Sequence, residues 1–138
     1  MSKIEYALSI YPFQIDAMGH VNNIIYVQWM EIGRTKLMDA IEMPVDQVIK
    51  EGFAPVLVET NISYEVPLYL SDQVTASIWL SQLRSASAVM SFEFCNQHGQ
   101  VAAAGTQRGL FIDLESKKPK RLDKKMRDRF VRYLITDT

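Results

Sequence analysis

Residues 24–41, IIYVQWMEIGRTKLMDAI, hold more apolar surface than a helix lying on the outside of a small protein can use. Tyr26, Met30, Gly33, Leu37, Ala40 and Ile41 recur at three- and four-residue spacing and share one helical face, while Ile25, Trp29 and Ile32 form a second. Two apolar faces predict a helix enclosed on most sides. Gly33 in its interior costs about 1 kcal/mol against Ala, so a strand is expected to approach the helix closely there. The rest of the chain supplies the enclosure. Ile4, Tyr6, Leu8 and Ile10 alternate with polar or small residues, and so do Val56, Val58, Thr60, Ile62 and Tyr64. The same two-residue period returns in Val74, Ala76, Ile78 and Leu80 and in Ala88, Met90, Phe92 and Phe94. One very apolar helix and one largely antiparallel sheet bury each other if the sheet curls around the helix. The expectation is an α+β fold, a curved antiparallel sheet wrapped around one long central helix, with residues 1–138 as a single domain.

Between these elements the punctuation is clear. Pro44 opens a short second helical turn that Gly52 closes. NQHGQ, residues 96–100, reads as a hairpin turn, and VAAAGTQRGLFID as its return strand, with a bulge expected near Gly105 or Gly109. Met126, Phe130, Tyr133 and Leu134 predict a final helix with one apolar stripe. Fifteen Lys and Arg against sixteen Asp and Glu leave a net charge of −1, which gives no global attraction to nucleic acid or to an anionic membrane. No stretch reaches the roughly 20 apolar residues that span a bilayer. The N-terminal MSKIEYALSI lacks the features of a signal peptide, and the single Cys95 has no partner for an internal disulfide. A soluble, cytoplasmic protein without stable membrane association is expected.

DAMGHVNN, residues 16–23, stands directly ahead of the long helix and concentrates the polar chemistry. Followed by Gly19, Asp16 alone reads as a turn aspartate bonding the backbone two residues on. Asn22 reads as a helix N-cap, and His20 as a residue that orients the loop or lines a pocket. Neither His98 nor Cys95 stands at a spacing that would build a metal site with His20. Glu31 and Arg34, three apart, read as a local ion pair, and Cys95 as a small buried residue. There is no GxSxG elbow, phosphate-cradling loop or zinc-spaced cluster.

The string DAMGHVNNIIYVQWMEIGR, together with ISYEVPLYLSD, resembles the hotdog-fold acyl-CoA thioesterases. It is closest to the 4-hydroxybenzoyl-CoA thioesterase family, in the branch that holds bacterial long-chain acyl-CoA thioesterases. The likeness runs over nearly the whole chain, including the Pro67 kink and the IDL ending at Leu114. One departure is Gln14, at a place where the family usually has an acidic residue. Thioester hydrolysis needs a group that attacks or activates water and donors for the carbonyl oxygen as it gains charge. The resemblance implies Asp16 as nucleophile or general base, and the backbone amide of Asn23, at the positive end of the helix, as oxyanion donor. It implies an acyl-CoA substrate, no cofactor, and a homo-oligomer, dimer or tetramer, joined edge to edge with sites at the interface. His20, Asn22, Tyr26 and Glu59 are candidates to contact substrate. Arg84, Ser85 and Ser87 are candidates for the coenzyme A phosphates, with KKPKR at 117–121 as an alternative. Tyr26, Trp29, Met30 and Phe53 are candidate acyl-tunnel walls. Two other readings stay open: a non-catalytic acyl-CoA-binding module on the same fold, and an enoyl-CoA hydratase. The hydratase pattern needs Asp and His five apart with Asn-Pro between them, whereas Asp16 and His20 are four apart.

Overall fold

The computed structural model describes residues 2–136. In chain order it contains β1 (Ile4–Leu8), a 3-10 turn (Pro12–Gln14), α1 (Asn23–Ala40), α2 (Val45–Lys50), β2 (Phe53–Tyr64), β3 (Val74–Leu83), β4 (Ser87–Cys95), β5 (Val101–Asp113), β6 (Pro119–Lys120) and α3 (Lys124–Val131). All strands pair antiparallel in the order β1-β3-β4-β5-β2, and β6 joins β5 beyond the last pair with β4. β2 is therefore an edge. No helix among the described residues is long and apolar enough to cross a membrane.

α1 packs through Ile25, Tyr26, Trp29, Met30, Gly33, Leu37 and Met38 onto a sheet face that buries Tyr6, Ile78, Leu80, Phe92, Phe94 and Ala103. Tyr26 meets both Trp29 and Phe94 edge to face, at centroid distances of 5.2 and 5.6 Å. The expected second buried face is only partly enclosed. Trp29 and Ile25 are covered, but Ile32 is 42% exposed, and Val27 and Ile24 join it at 43% and 64%. A helix against one concave sheet keeps a strip on its far side uncovered.

Close approach at Gly33 is confirmed, and the approaching group is a side chain. Tyr6 of β1 donates its hydroxyl to the Trp29 carbonyl at 2.9 Å, the carbonyl that accepts the Gly33 N–H one turn on. A Cβ at Gly33 would fall on that phenol. Burial pushes the Tyr6 hydroxyl above its ordinary pKa, opposed by the Arg34 charge. On β5, Gly105 serves a second approach. Its position is regular in the ladder, and an added Cβ would meet the Asn61 carbonyl oxygen and lie 2.8 Å from the Met30 methyl.

A bulge was expected on β5 near these glycines: its extra residue is Ala102, since Phe94 pairs with Ala103 and Cys95 with Val101, and a second bulge sits on β2 across from Gly109. Leu57 pairs with Gly109 and Glu59 with Arg108, which leaves Val58 of β2 as the extra residue. This shifts the alternation. Phe53, Pro55 and Leu57 share a face with Thr60, Ile62 and Tyr64, so Val56 and Val58 do not belong with Thr60 as the simple pattern predicted. Another irregularity, at Ser81 of β3, coincides with the C-terminal segment: Leu80 accepts from Ile135 N–H and donates to the Tyr133 carbonyl, both at 2.8 Å. Tyr133 and Leu134 thus run beside β3 and not within α3, whose buried stripe is Met126 and Phe130.

One polar chain crosses the interior. Arg34 donates from Nη1 to Gln107 Oε1 at 2.7 Å, and Gln107 donates from Nε2 to Thr60 Oγ1 at 3.2 Å. Gln107 is fully buried. Arg34 therefore turns toward the sheet, and the expected Glu31–Arg34 pair does not form. The sole ion pair among the described residues is Glu59–Arg108, 3.9 Å apart. Gln107→Leu strands the half-buried guanidinium, a loss of about 1–3 kcal/mol in urea unfolding, and Arg34→Met in the same chain recovers most of it. Gly33→Ala gains helix propensity but overpacks the Tyr6 notch, so a net loss of about 1–3 kcal/mol is expected. Adding Tyr6→Phe relieves part of that loss, by the same measurement.

Candidate active site

The loop before α1 is built as a narrow reversal. Ile15 and Val21 form an antiparallel bridge, Asp16 N–H donates to the His20 carbonyl at 2.8 Å, and Gly19 N–H donates to the Asp16 carbonyl at 3.0 Å. Gly19 takes φ 82°, a left-handed conformation that glycine adopts without strain. One carboxylate oxygen of Asp16, Oδ1, accepts from Met18 N–H at 2.9 Å and His20 N–H at 3.2 Å. The turn-aspartate geometry is thus present. Oδ2 has no hydrogen-bond partner among the described residues, so the turn orients the carboxylate and leaves one oxygen available. Val21 N–H donates to the Leu68 carbonyl, and Asn22 N–H to the Gln14 carbonyl, each at 2.8 Å. The buried Gln14, in the place where the family usually has an acid, accepts Tyr11 N–H through Oε1 at 2.7 Å.

Asn22 is the N-cap of α1, its Oδ1 accepting Ile24 N–H at 3.1 Å and its carbonyl accepting Ile25 N–H at 2.9 Å. Asn23 N–H is left without an acceptor among the described residues, at the positive end of an 18-residue helix. The His20 ring stands edge-on to Tyr69 at 5.1 Å. Tyr26 is core, and burial, with Tyr64 and Asp72 adding to it, raises its hydroxyl to about 12. Tyr64 packs on Tyr26 at 5.3 Å and donates its hydroxyl to the Asn23 carbonyl at 3.3 Å. Tyr64 and Tyr69 went unmarked in the sequence because each reaches the loop from a segment some 40 residues away; the string ISYEVPLYLSD, which contains both, was the available signal.

Other candidates lie apart from the loop. Glu59 pairs with Arg108 across β2 and β5, with side chains 59% and 45% exposed. Cys95 is half-buried, and burial, with Glu93 and Glu5 adding to it, pushes its thiol up, away from nucleophilic thiolate. His98 sits exposed in the turn after it. The described residues contain no cluster of three metal-ligating side chains.

A cavity of about 440 Å³ opens between the second half of α1 and the sheet. Leu37, Met38, Met90, Phe111, Leu122 and Phe130 line its apolar interior, while Glu31, Arg34, Thr35 and Ser87 add polar atoms. It contains none of Tyr26, Trp29, Met30 and Phe53, the expected tunnel walls: the first three are buried in the core along the helix's first half, and Phe53 packs edge to face on Phe111 at 5.4 Å. Nor does it contain Asp16 or Asn23. At about 1.5 Å per residue, Leu37 lies about 21 Å along α1 from Asn23. The β3–β4 hairpin edges the cavity through Ala86 and Ser87. The basic C-terminal segment docks on that hairpin: Leu122 N–H donates to the Ser85 carbonyl at 2.9 Å and Arg127 Nη1 to the Arg84 carbonyl at 2.7 Å. The two separate phosphate candidates of the sequence are one neighbourhood.

The long-chain acyl-CoA thioesterase FadM of Escherichia coli is 28% identical over 123 residues, 88% of this chain and 92% of FadM. The chloroplastic acyl-acyl carrier protein thioesterase ATL3 of Arabidopsis thaliana is 26% identical over 137 residues, 96% of this chain and 70% of ATL3. The fold matches that of a DHNA-CoA thioesterase from Staphylococcus aureus with a TM-score of 0.84 at 21% identity, covering 93% of this chain and 86% of that one. A family model, the thioesterase-like superfamily, matches residues 12–130. The sheet curled around one helix has the hotdog fold that the resemblance implied, and the chain belongs to the thioesterase-like superfamily.

Proposed function

We propose that the protein is an acyl-CoA thioesterase in which Asp16 activates the reaction and Asn23 N–H receives the carbonyl oxygen. The observation that carries this reading is the pairing of an aspartate with one oriented and one unbonded oxygen and a helix-start amide with no acceptor. An acyl oxygen placed on that amide gains a hydrogen bond that strengthens as the carbon is attacked. The attacking atom is either Asp16 Oδ2, forming a mixed anhydride that water then hydrolyses to the free acid, or a water that gives its proton to Asp16; in both routes the C–S bond breaks and coenzyme A leaves as thiolate. His20 and Asn22 hold the loop in shape. Arg84, with Ser85 and Ser87, is assigned to the coenzyme A phosphates.

The acyl cavity and the aspartate lie at opposite ends of α1, and a second copy reconciles them. α1 runs antiparallel to β2: Asn23 meets Tyr64 at the end of the strand, while Leu37 and Met38 share the cavity with Pro55, Val56 and Leu57 near its start. β2 has a free edge, bordered by exposed Ile24, Val27, Ile32, Leu57 and Val58. If two copies of β2 pair antiparallel about a two-fold axis, both helices stay on one side of the joined sheet and run in opposite directions. The Asp16 loop of one subunit then stands beside the cavity of the other. At about 30 Å³ per water-sized volume, that 440 Å³ cavity takes an acyl group of roughly fifteen non-hydrogen atoms.

Asp16→Asn retains the acceptor for Met18 and His20 N–H, so unfolding free energy changes by no more than about 1 kcal/mol. Turnover, followed as free thiol release, drops at least roughly 10²-fold, while Cys95→Ala keeps parental rates. A parental rate for Asp16→Asn refutes the assignment. The shared site has its own test. Asp16→Asn and the cavity-filling Ala88→Phe are each expected to be inactive alone, and mixing them after reversible dissociation restores activity, since one site of each mixed dimer has both parental halves. No recovery in mixtures shown to exchange subunits means that each chain carries its site alone.

A further inference from the structure

The charge of this chain is segregated far more than its total suggests. Nine of the fifteen Lys and Arg fall between residues 117 and 132, beside only two of the sixteen Asp and Glu. The rest of the chain holds six cations against fourteen anions. Lys117, Lys118, Arg121, Lys124, Lys125 and Arg132 of this segment are exposed, and none forms an ion pair among the described residues. Where the segment's cations are bonded, their partners are neutral: Arg127 and Arg129 donate to carbonyls of Arg84, Ile41 and Glu42, and Lys120 lies 5.1 Å over the Phe53 ring. Unpaired cations this dense repel one another, and a fold that keeps them together is poised for an anionic surface.

We propose that this face docks an acidic carrier protein that presents the acyl thioester on a phosphopantetheine arm, so that the enzyme accepts carrier-borne thioesters alongside coenzyme A esters. The claim rests on the thioesterase reading above. The same segment that bears the cations lends Leu122 and Phe130 to the cavity lining, so a carrier seated there delivers its arm beside the acyl pocket. The patch is larger than one coenzyme A needs, since six exposed cations exceed the charge of its phosphates and extend beyond the Arg84 hairpin. A membrane is the poorer partner: α3 turns Met126 and Phe130 inward and offers the outside no aromatic anchor, whereas interfacial helices place their apolar face in the lipid. A long polyanion would have to run on past a surface dominated by acids. The relative ATL3, named for acyl-acyl carrier protein substrates, spans nearly all of this chain.

The test compares one acyl group on three carriers, an acidic acyl carrier protein, coenzyme A and uncharged pantetheine, with the full-length protein and its Lys124→Glu/Lys125→Glu/Arg132→Glu variant. All three positions are exposed. The parent is expected to have at least tenfold higher kcat/KM on the carrier-borne thioester than on acyl-pantetheine, with that advantage lost as salt shortens the screening length. The variant should lose the advantage while keeping its rate on acyl-pantetheine. Binding of the carrier protein without its acyl group, read by fluorescence anisotropy, is measured in parallel and should vanish in the variant. Equal rates on carrier and pantetheine overturn the proposal, as does an equal loss on both, or binding to phosphatidylserine vesicles in place of the carrier. If no thioester is hydrolysed at all, the thioesterase reading fails, and anisotropy alone decides the docking claim.

Discussion

The fold depends on how closely one helix can lie on one sheet. Two glycines set that distance. At Gly33 the helix receives the Tyr6 phenol against its own backbone, and at Gly105 the sheet receives the Met30 methyl. Each gives up side-chain volume, and Gly33 also gives up helix propensity. In return Met30, Phe94, Ile78 and Leu80 are completely shielded from water. Burying a large apolar side chain contributes about 1.5–3 kcal/mol, so the contact recovers more than the propensity it sacrifices. The same closeness fixes the height of α1 above the sheet, and so the place of its first free amide.

That amide and Asp16 are held in place by neighbouring backbone and side-chain groups. The Leu68 and Gln14 carbonyls accept the Val21 and Asn22 N–H groups, Tyr64 pins the Asn23 carbonyl, and Asp16 is steadied by the turn it caps. The turn role and the chemical role are compatible because a carboxylate has two oxygens. The plainest reading of Asp16 from the sequence, a turn former, describes one of them, and the family resemblance concerns the other.

What was legible in the sequence is what depends on short-range periodicity. The strand alternation of 74–80 and 88–94, the hairpin at Gly99, the long helix and the Asn22 cap all follow from residues within one or two turns of each other, and all are present. The misses share a physical origin. Arg34 was paired with Glu31 because they are three apart, yet Gln107, 73 positions away, offers a better acceptor in the interior. The bulge on β5 was placed at Gly105 or Gly109 because glycines mark bulges, while the extra residues are Ala102 of β5 and a valine on the strand opposite. Ile32 was expected inside because apolarity does not say whether the covering surface comes from the same chain.

The Val58 bulge has a consequence for how this edge behaves in a crowded cell. Alternation in β2 is correct on both sides of it, with Leu57 and Thr60 on the inner face, so deletion of Val58 restores a smooth, fully extended strand without turning any side chain over. A smooth edge of that kind is also an open template for sheet growth, whereas the kinked twelve-residue strand offers a partner only short straight stretches. The surplus valine therefore works against open-ended stacking along β2, which is compatible with the proposed two-copy pairing.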